Sequence, residues 1–322
     1  MLQNIKSHLQ EDLKEYDRVF SEIMSSDIKL VDTIAKYIVR HKGKGLRPLL
    51  VLMSARLIGK PTQNTYITAA VTELLHTATL IHDDVVDNTE IRRNFPSINA
   101  VWKNKMSVLM GDYLLSKSLI GAGQTENIEV IKILAETSKR MSKGELFQIE
   151  KSKKLDITED DYIRLISDKT ASLISACCEL GVVSIDQNSS YREALSKYGL
   201  YLGLIFQITD DLLDLEGKQN LVGKPVGTDL KENNITLPLI YAMNNSNAHE
   251  NKEIIKKIKK GVNKSDIKAI IRFCIENKGI ERARQKACFY ADKARKQIQD
   301  LPLKSTNENA LYFIDYVLNR KR

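Results

Sequence analysis

The sequence predicts an all-α protein, because apolar residues recur at helical spacing along most of the chain and turn-forming residues are scarce. Only 6 Pro and 15 Gly occur among the 322 residues, which leaves little material for the many tight turns of a large sheet. A chain of this length can bury a substantial core as one unit. We therefore expect a single helical domain over residues 1–322, built as one large bundle.

Helices are clearest where apolar residues repeat every three or four positions, in residues 31–39, 65–87, 127–141, 193–215 and 310–318. Two segments, 66–86 and 194–215, are apolar around most of the helix circumference, which is typical of helices at the centre of a bundle. The acidic residues that end both of these helices therefore need a chemical reason.

Breaks between helices are predicted where Gly, Pro and polar residues cluster, at residues 41–45, 59–61, 93–96, 121–123 and 217–238. The last of these segments is the longest. We expect it to lie over the end of the helix that precedes it.

The positive charge of the chain is concentrated near its C-terminal end. Residues 251–322 contain 19 Lys or Arg and 8 Asp or Glu, a net charge of +11, while the preceding part has a net charge of −3. The basic residues fall within helical patterns, so we expect a solvated helix surface and no nucleic-acid binding. Transient contact with an anionic membrane surface is the alternative.

No stretch of about 18 apolar residues occurs, and the N-terminal segment lacks an apolar signal region, so we expect a cytoplasmic protein. Four cysteines occur without a C-x-x-C pair: Cys177, Cys178, Cys274 and Cys288. We expect all four to be buried, reduced thiols.

Two D-D-x-x-D motifs close the two central helices, and they consist of Asp83, Asp84 and Asp87 in the first and Asp210, Asp211 and Asp214 in the second. The first and last aspartates of each motif share a helix face, where like charges repel. The helix C-terminus also disfavours anions. Mg²⁺ relieves this cost, because it takes one or two carboxylates and completes its shell with water and phosphate oxygens. The sequence therefore predicts a magnesium and diphosphate site.

Basic residues that suit an anionic substrate lie near the predicted breaks. Lys44 and Arg47 belong to the segment HKGKGLRP, whose glycines let the backbone approach a phosphate. Arg92 and Arg93 follow the first acidic motif, and guanidinium groups hold diphosphate oxygens through two parallel hydrogen bonds. We expect these four side chains to bind substrate.

Histidines occur on the first acidic helix at two positions. His76 precedes Asp83 by seven residues and shares its face, which slightly favours a role as a donor to diphosphate. His82 lacks this relation, and we expect it to belong to the core.

The chain resembles the trans-isoprenyl diphosphate synthase family, specifically its long-chain branch that supplies quinone side chains. The segments that resemble the motifs of this family are HKGKGLRP, ELLHTATLIHDDVVD, IRRNFPSINAVW, DKTASL, FQITDDLLD and GKPVGTDL. The resemblance implies a helical bundle of the isoprenoid synthase type with a central cavity, and a homodimer. It also implies an enzyme that joins isopentenyl diphosphate to farnesyl or geranylgeranyl diphosphate with the help of Mg²⁺.

The resemblance assigns roles to individual residues. Isopentenyl diphosphate would be bound by Lys44, Arg47, His76 and Arg93, and the allylic diphosphate by Arg92, Lys169 and Lys224. Direct Mg²⁺ ligands would be Asp83, Asp87 and Asp210, with Asp84, Asp211 and Asp214 as indirect or partial ligands. Thr170 and Gln207 would direct oxygen atoms at the developing allylic cation.

Two departures from the family pattern stand out. Asn94 replaces the glycine that usually follows the arginine pair, and Asn tolerates such a backbone position next best. Asn233 and Asn234 replace the usual Gly-Lys pair, which removes a lysine expected near the leaving diphosphate. Lys231 is a candidate to replace that lysine.

Small residues before the first motif predict a long product. Ala78 and Thr79, then Leu75 and Val71, precede Asp83 where short-chain members of the family carry bulky aromatics. Three alternatives remain open: a geranylgeranyl-type synthase, a terpene cyclase and a non-catalytic subunit. A cyclase would need a different second metal motif, and subunits tend to lose acidic motifs.

Overall fold

A computed structural model describes residues 2–216, 226–299, 301 and 307–320. The chain is 81% helical, as the sequence predicts. The helices in chain order are α1 (Leu2–His8), α2 (Gln10–Met24), α3 (Lys29–Arg40), α4 (Leu46–Ile58), α5 (Gln63–Val86), α6 (Ile98–Gln124), α7 (Ile128–Lys154), α8 (Glu159–Ile166), α9 (Ser172–Val183), α10 (Arg192–Glu216), α11 (Thr228–Lys231), α12 (Leu237–Asn245), α13 (Ala248–Lys259), α14 (Lys264–Glu276), α15 (Gly279–Gln299) and α16 (Asn307–Leu318).

Two short strands and one π-helical turn complete the described structure. Strands β1 (Ile91–Arg92) and β2 (Phe95–Pro96) form an antiparallel hairpin between α5 and α6. The π-helical turn, Ser167–Ala171, joins α8 to α9. Such turns are rare in proteins, and those that occur are often found at functional sites.

The chain divides into two compact units. The first comprises Met1–Ser138, Ala176–Ser196 and Leu301–Tyr312. The second comprises Lys139–Ser175, Lys197–Asp300 and Phe313–Arg322. A single domain over residues 1–322 stays a prediction.

In the first unit, α5 is a buried helix that packs closely against α6. A Cβ atom at Gly121 of α6 would lie 2.6 Å from Val71, and one at Gly111 would lie 2.2 Å from the ring of His82. Both glycines therefore allow the two helices to approach. The predicted helix break at residues 121–123 is wrong, because these glycines lie inside α6 and the helix continues to Gln124.

In the second unit, two glycines allow neighbouring helices to approach the π-helical turn. A Cβ atom at Gly144 of α7 would lie 2.7 Å from the backbone nitrogen of Lys169. One at Gly203 of α10 would lie 2.4 Å from the Cα atom of Ala171. The turn is thus held from two sides by backbone contact.

Two expectations about buried residues are wrong. Cys288 is exposed, although Cys177, Cys178 and Cys274 are buried free thiols as predicted. His82 does not belong to the core: its side chain is 34% exposed and lies 3.3 Å from Asp112. Among the described residues, no helix is both long and apolar enough to cross a bilayer.

Candidate active site

The first aspartate motif lies where α5 ends. Asp87 is the residue that follows the helix, and Asp83 lies one turn before it, with the Asp87 N–H donating to the Asp83 carbonyl at 2.8 Å. Asp87 is exposed and Asp83 is partly exposed. Asp84 is only 2% exposed, and its carboxylate accepts a hydrogen bond from Arg92 Nε at 2.6 Å. The motif therefore presents two carboxylates outward and uses the third to hold the hairpin.

The hairpin positions the arginine pair. Its two-residue loop consists of Arg93 and Asn94, with φ of 54° and 66°. Positive φ at both central residues is the requirement of a type I′ turn, in which Asn is well tolerated. Asn94 thus fits the position expected to be glycine. The Tyr37 hydroxyl of α3 donates to the Pro96 carbonyl at 2.8 Å, which attaches the hairpin to a helix.

The loop before α4 lies against the second arginine of the pair. A Cβ atom at Gly43 would lie 2.6 Å from Cζ of Arg93, so any side chain at this position would displace the guanidinium group. Gly45 has φ of 66° and begins α4, which places Arg47 in the first turn. Lys44 lies between the two glycines and is exposed.

A buried polar cluster lies behind this loop. His76 is 7% exposed, and burial together with the charges of Arg47 and Arg93 holds its pKa well below the usual value. The imidazole is therefore neutral near neutral pH and offers an N–H donor without a charge. Burial also lowers the pKa of Arg47, whose Nε has no hydrogen-bond partner among the described residues.

Sequence reasoning missed one member of this cluster. Glu73 lies one turn before His76 and is 8% exposed, and burial raises the pKa of its carboxyl while Arg47, Arg93 and Lys42 act in the opposite direction. A small pocket of about 80 Å³ adjoins the cluster. Residues that line it include Tyr37, Lys42, Glu73, Asp84, Arg92 and Arg93.

The second aspartate motif presents its three carboxylates differently. Asp210 is partly exposed, and Arg320, just after α16, lies 3.6 Å from it. Asp211 is 4% exposed and accepts hydrogen bonds from the Tyr162 hydroxyl at 2.6 Å and from Gln207 Nε2 at 2.8 Å. Burial, and next the charge of Asp229, raise the pKa of Asp211 well above its usual range.

The last aspartate of this motif serves the segment that follows. Asp214 is 5% exposed, and its carboxylate accepts from the backbone N–H groups of Thr228 at 3.2 Å and Asp229 at 3.4 Å. It therefore fixes the start of α11. Within the described part of the segment predicted to cover this helix end, residues 226–238, the backbone of Gly227, Thr228 and Asp229 donates hydrogen bonds to Asp214. Lys224 lies outside the described residues.

Lys169 extends from the π-helical turn to acidic and polar partners on α7. Its Nζ lies 2.7 Å from Glu145 Oε1 and donates to Gln148 Oε1 at 2.9 Å. Neither partner was identified from the sequence, although the two lie three residues apart on one helix face. A diphosphate bound at Lys169 would share the ammonium group with Glu145.

Thr170 and Gln207 form a hydrogen-bonded relay with the second motif. The Thr170 hydroxyl donates to Gln207 Oε1 at 2.9 Å, and the Gln207 amide donates in turn to Asp211. The structure thus brings together the two residues assigned to the allylic cation. Their oxygen atoms are oriented by a buried carboxylate and Tyr162.

The Asn233–Asn234 departure has a structural explanation. Asn233 has φ of 60°, a conformation in which Asn replaces glycine at small cost. The Asn234 side-chain oxygen accepts from Ser152 Oγ at 2.8 Å and from Gln148 Nε2 at 3.2 Å. Asn234 therefore orients Gln148, a partner of Lys169, while Lys231 is exposed.

Comparison with known proteins agrees with this chemistry. Residues 28–274 match the Polyprenyl synthetase family. Octaprenyl diphosphate synthase of Haemophilus influenzae is 32% identical over 316 residues, which cover 98% of this chain and 96% of the relative.

Two solved structures resemble the whole chain. A decaprenyl diphosphate synthase from Rhodobacter capsulatus gives a TM-score of 0.94 at 35% identity and covers 100% of both chains. A polyprenyl synthase from Caulobacter crescentus CB15, complexed with calcium and isoprenyl diphosphate, gives a TM-score of 0.92 at 31% identity, covering 100% of this chain and 98% of that one.

The fold and these similarities define the class of protein as an all-α isoprenoid synthase, which confirms the fold class predicted from the sequence. The chain belongs to the polyprenyl synthetase family and is a trans-prenyltransferase.

Proposed function

We propose that this protein condenses isopentenyl diphosphate with an allylic diphosphate to make a long-chain, all-trans polyprenyl diphosphate for a quinone side chain. Its primer is farnesyl or geranylgeranyl diphosphate. The observation that carries this proposal is the first aspartate motif, where Asp83 and Asp87 point outward while Asp84 holds Arg92 at 2.6 Å. This arrangement supports a site in which carboxylate oxygens would bind a cation beside guanidinium groups that would donate to a diphosphate.

Isopentenyl diphosphate is assigned to four donor side chains, those of Lys44, Arg47, His76 and Arg93. The two arginines supply forked donors, and the neutral imidazole supplies one N–H. The φ of Gly45 and the absence of a side chain at Gly43 support this assignment, because they allow the loop and the Arg93 guanidinium to meet.

The allylic diphosphate is assigned to Arg92, Lys169 and Lys224. Arg92 pairs with Asp84 through Nε, so its terminal nitrogens can donate to phosphate oxygens. Cleavage of the allylic carbon–oxygen bond transfers the bonding electrons to the diphosphate, and these cations stabilise the charge that develops. Thr170 and Gln207 direct oxygen atoms at the allylic cation.

Carbon–carbon bond formation follows from attack by the π bond of isopentenyl diphosphate on the cation. The proton lost afterwards goes to the released diphosphate, so the mechanism needs no protein general base. An apolar surrounding protects the cation from water. Apolar residues next to the motif, such as Leu80 and Ile81, suit this requirement.

The aspartates fit a divalent cation of the Mg²⁺ type. In the described part of the chain, no three ligating side chains converge on one point, so protein groups alone would not complete a shell. Mg²⁺ commonly takes few carboxylates together with water and phosphate oxygens. Asp83 and Asp87 of the first motif and Asp210 of the second would be direct Mg²⁺ ligands, and bound Mg²⁺ would neutralise charge on the diphosphate. Asp84, Asp211 and Asp214 would support these ligands indirectly, since hydrogen bonds already engage them.

Product length is assigned to the face of α5 that precedes Asp83. Ala78 has a small side chain at the position where short-chain members of the family carry a bulky aromatic, which supports room for a growing tail. Replacing it by Phe is expected to shorten the longest product, whereas Ala78→Ser is expected to leave the product unchanged. An unchanged ladder in the Phe variant would contradict the assignment.

We further propose a homodimer in the cytoplasm that binds no nucleic acid. A row of exposed apolar side chains on α6 supports the homodimer: Val101, Val108, Leu109, Leu119 and Ile120. Transient contact with an anionic membrane is assigned to Lys256, Lys257 and Lys259 of α13 and to Lys260, which follows the helix. Lys256, Lys259 and Lys260 line one depression. Lys257 is paired with Asp266 at 2.8 Å.

The test is incubation of purified protein with farnesyl diphosphate, isopentenyl diphosphate and Mg²⁺, with and without chelator, followed by sizing of the products. A metal-dependent ladder that extends well beyond geranylgeranyl diphosphate is the expected result. A short product would favour the geranylgeranyl-type synthase. No condensation would contradict the proposal and favour a cyclase or a non-catalytic subunit.

A further inference from the structure

Glu73 is a buried carboxyl group to which the proposed reaction gives no role. Its side chain is 8% exposed within α5, and its Oε2 has no hydrogen-bond partner among the described residues. An unpaired buried carboxylate oxygen costs free energy, because water no longer solvates it. Positively charged side chains near Glu73 would reduce this cost.

Two cations assigned to the same diphosphate lie near this carboxyl group. Arg47 carries a buried Nε that also has no hydrogen-bond partner in the described part of the chain. Arg93 lines the same pocket as Glu73, and its guanidinium lies against Gly43. Lys42 lines this pocket as well but is paired with Asp17 at 2.7 Å.

The two arginines repel each other in the absence of substrate. The charge of Arg93 lowers the pKa of Arg47, and the charges of both arginines lower the pKa of His76. Because the proposed function brings both guanidinium groups to one diphosphate, their mutual repulsion disfavours this arrangement before substrate binds. A nearby buried negative charge offsets the repulsion, since Coulomb interactions are strong where water is excluded.

We propose that Glu73 is a positioning residue whose buried negative charge offsets the repulsion between Arg47 and Arg93, and so favours the arrangement that receives the diphosphate of isopentenyl diphosphate. The inference rests on the proposed function. Glu73 touches no reacting atom and acts only through the two arginines. Its removal therefore affects the binding of one substrate and not of the other.

The test is Glu73→Gln, which keeps the size of the side chain and removes its charge. The expected result is a rise of about tenfold in KM for isopentenyl diphosphate, with KM for farnesyl diphosphate within about twofold of the wild type. Glu73→Asp keeps the charge on a shorter side chain and is expected to raise the same KM by about threefold. If the Gln variant does not fold, the KM of the Glu73→Asp variant for isopentenyl diphosphate tests the inference.

Asp12→Asn is the matched control. Asp12 is another buried carboxylate of the same unit, 2% exposed and hydrogen-bonded to Arg56 and Tyr66. Its replacement is expected to lower the midpoint of thermal unfolding and to leave both KM values unchanged. This separates a loss of stability from a loss of positioning.

An unchanged or lower KM for isopentenyl diphosphate in both Glu73 variants would overturn the inference. An equal rise in the KM values of both substrates would overturn it as well. A wild-type protein without condensation activity would instead contradict the proposed function. The two failures are therefore distinguishable within one set of assays.

Discussion

The two D-D-x-x-D motifs share one sequence pattern but are supported by different chemistry. In the first, the buried aspartate, Asp84, is paired with a cation, Arg92. In the second, the buried Asp211 is held by neutral donors, the Tyr162 hydroxyl and the Gln207 amide. The first motif is thus linked through Asp84 to Arg92, which is proposed to bind substrate, and the second is linked through Asp211 to Tyr162 and Gln207.

The motifs also differ in their position relative to the helix end. Helix α5 ends at Val86, so Asp87 lies just beyond it and is exposed. Helix α10 continues to Glu216, and Asp214 inside it is 5% exposed and accepts from two backbone N–H groups of α11. Identical spacing therefore gives two outward carboxylates in one motif and one in the other.

The largest effect is expected from removing the outward first aspartates. Asp83→Asn and Asp210→Asn are each expected to lower kcat by about 10³-fold. Each removes a carboxylate ligand of the Mg²⁺ that stabilises the negative charge developing on the diphosphate. Steady-state kinetics with farnesyl and isopentenyl diphosphate measures this loss. Unaltered midpoints of thermal unfolding would exclude misfolding, and kcat values within tenfold of the wild type would contradict the assignment.

Gly43→Ala tests whether binding of isopentenyl diphosphate depends on the position of the Arg93 guanidinium group. The added Cβ would lie 2.6 Å from Cζ of Arg93, so the guanidinium must move. We expect KM for isopentenyl diphosphate to rise about tenfold, the loss of one charge-assisted hydrogen bond. Gly123→Ala is the control, because a Cβ there meets nothing within 4 Å. Equal KM values in the two variants would count against the assigned role of Arg93.

A smaller effect is expected from the neutral support of the second motif. Tyr162→Phe leaves the buried Asp211 without one donor and is expected to lower the free energy of unfolding by about 1–3 kcal/mol. Tyr66→Phe removes a comparable hydrogen bond to Asp12. Asp12 keeps the cation Arg56 as a partner whereas Asp211 keeps the neutral Gln207, so a smaller loss is expected. Urea denaturation measures both. A greater loss in the Tyr66 variant would contradict the comparison.

Much of this site follows from local sequence. Apolar periodicity predicted that α5 and α10 end near their aspartates, and the positive φ at Asn94 agrees with its substitution for glycine. The Gly121–Gly123 break was wrong because a glycine also serves close helix packing, here against Val71. Sequence alone does not distinguish these two uses.

Residues that support the site from distant segments were not predictable in the same way. Glu145 and Gln148 meet Lys169 only because the π-helical turn approaches Gly144. Glu73 carries no motif of its own, and its importance depends on burial beside arginines from other segments. The pairing of Asp84 with Arg92 likewise depends on a hairpin that apolar periodicity does not indicate.

The most direct test of the difference between the motifs is the Mg²⁺ dependence of condensation in Asp87→Asn and Asp214→Asn, which change the same motif position. The account predicts that Asp87→Asn raises the Mg²⁺ concentration for half-maximal rate by about tenfold, since an outward ligand is lost. Asp214→Asn is predicted to raise that concentration by less than Asp87→Asn does and to lower the midpoint of thermal unfolding, because Asn keeps only one of the two oxygen atoms that accept from the start of α11. Equal shifts in Mg²⁺ requirement would contradict the account.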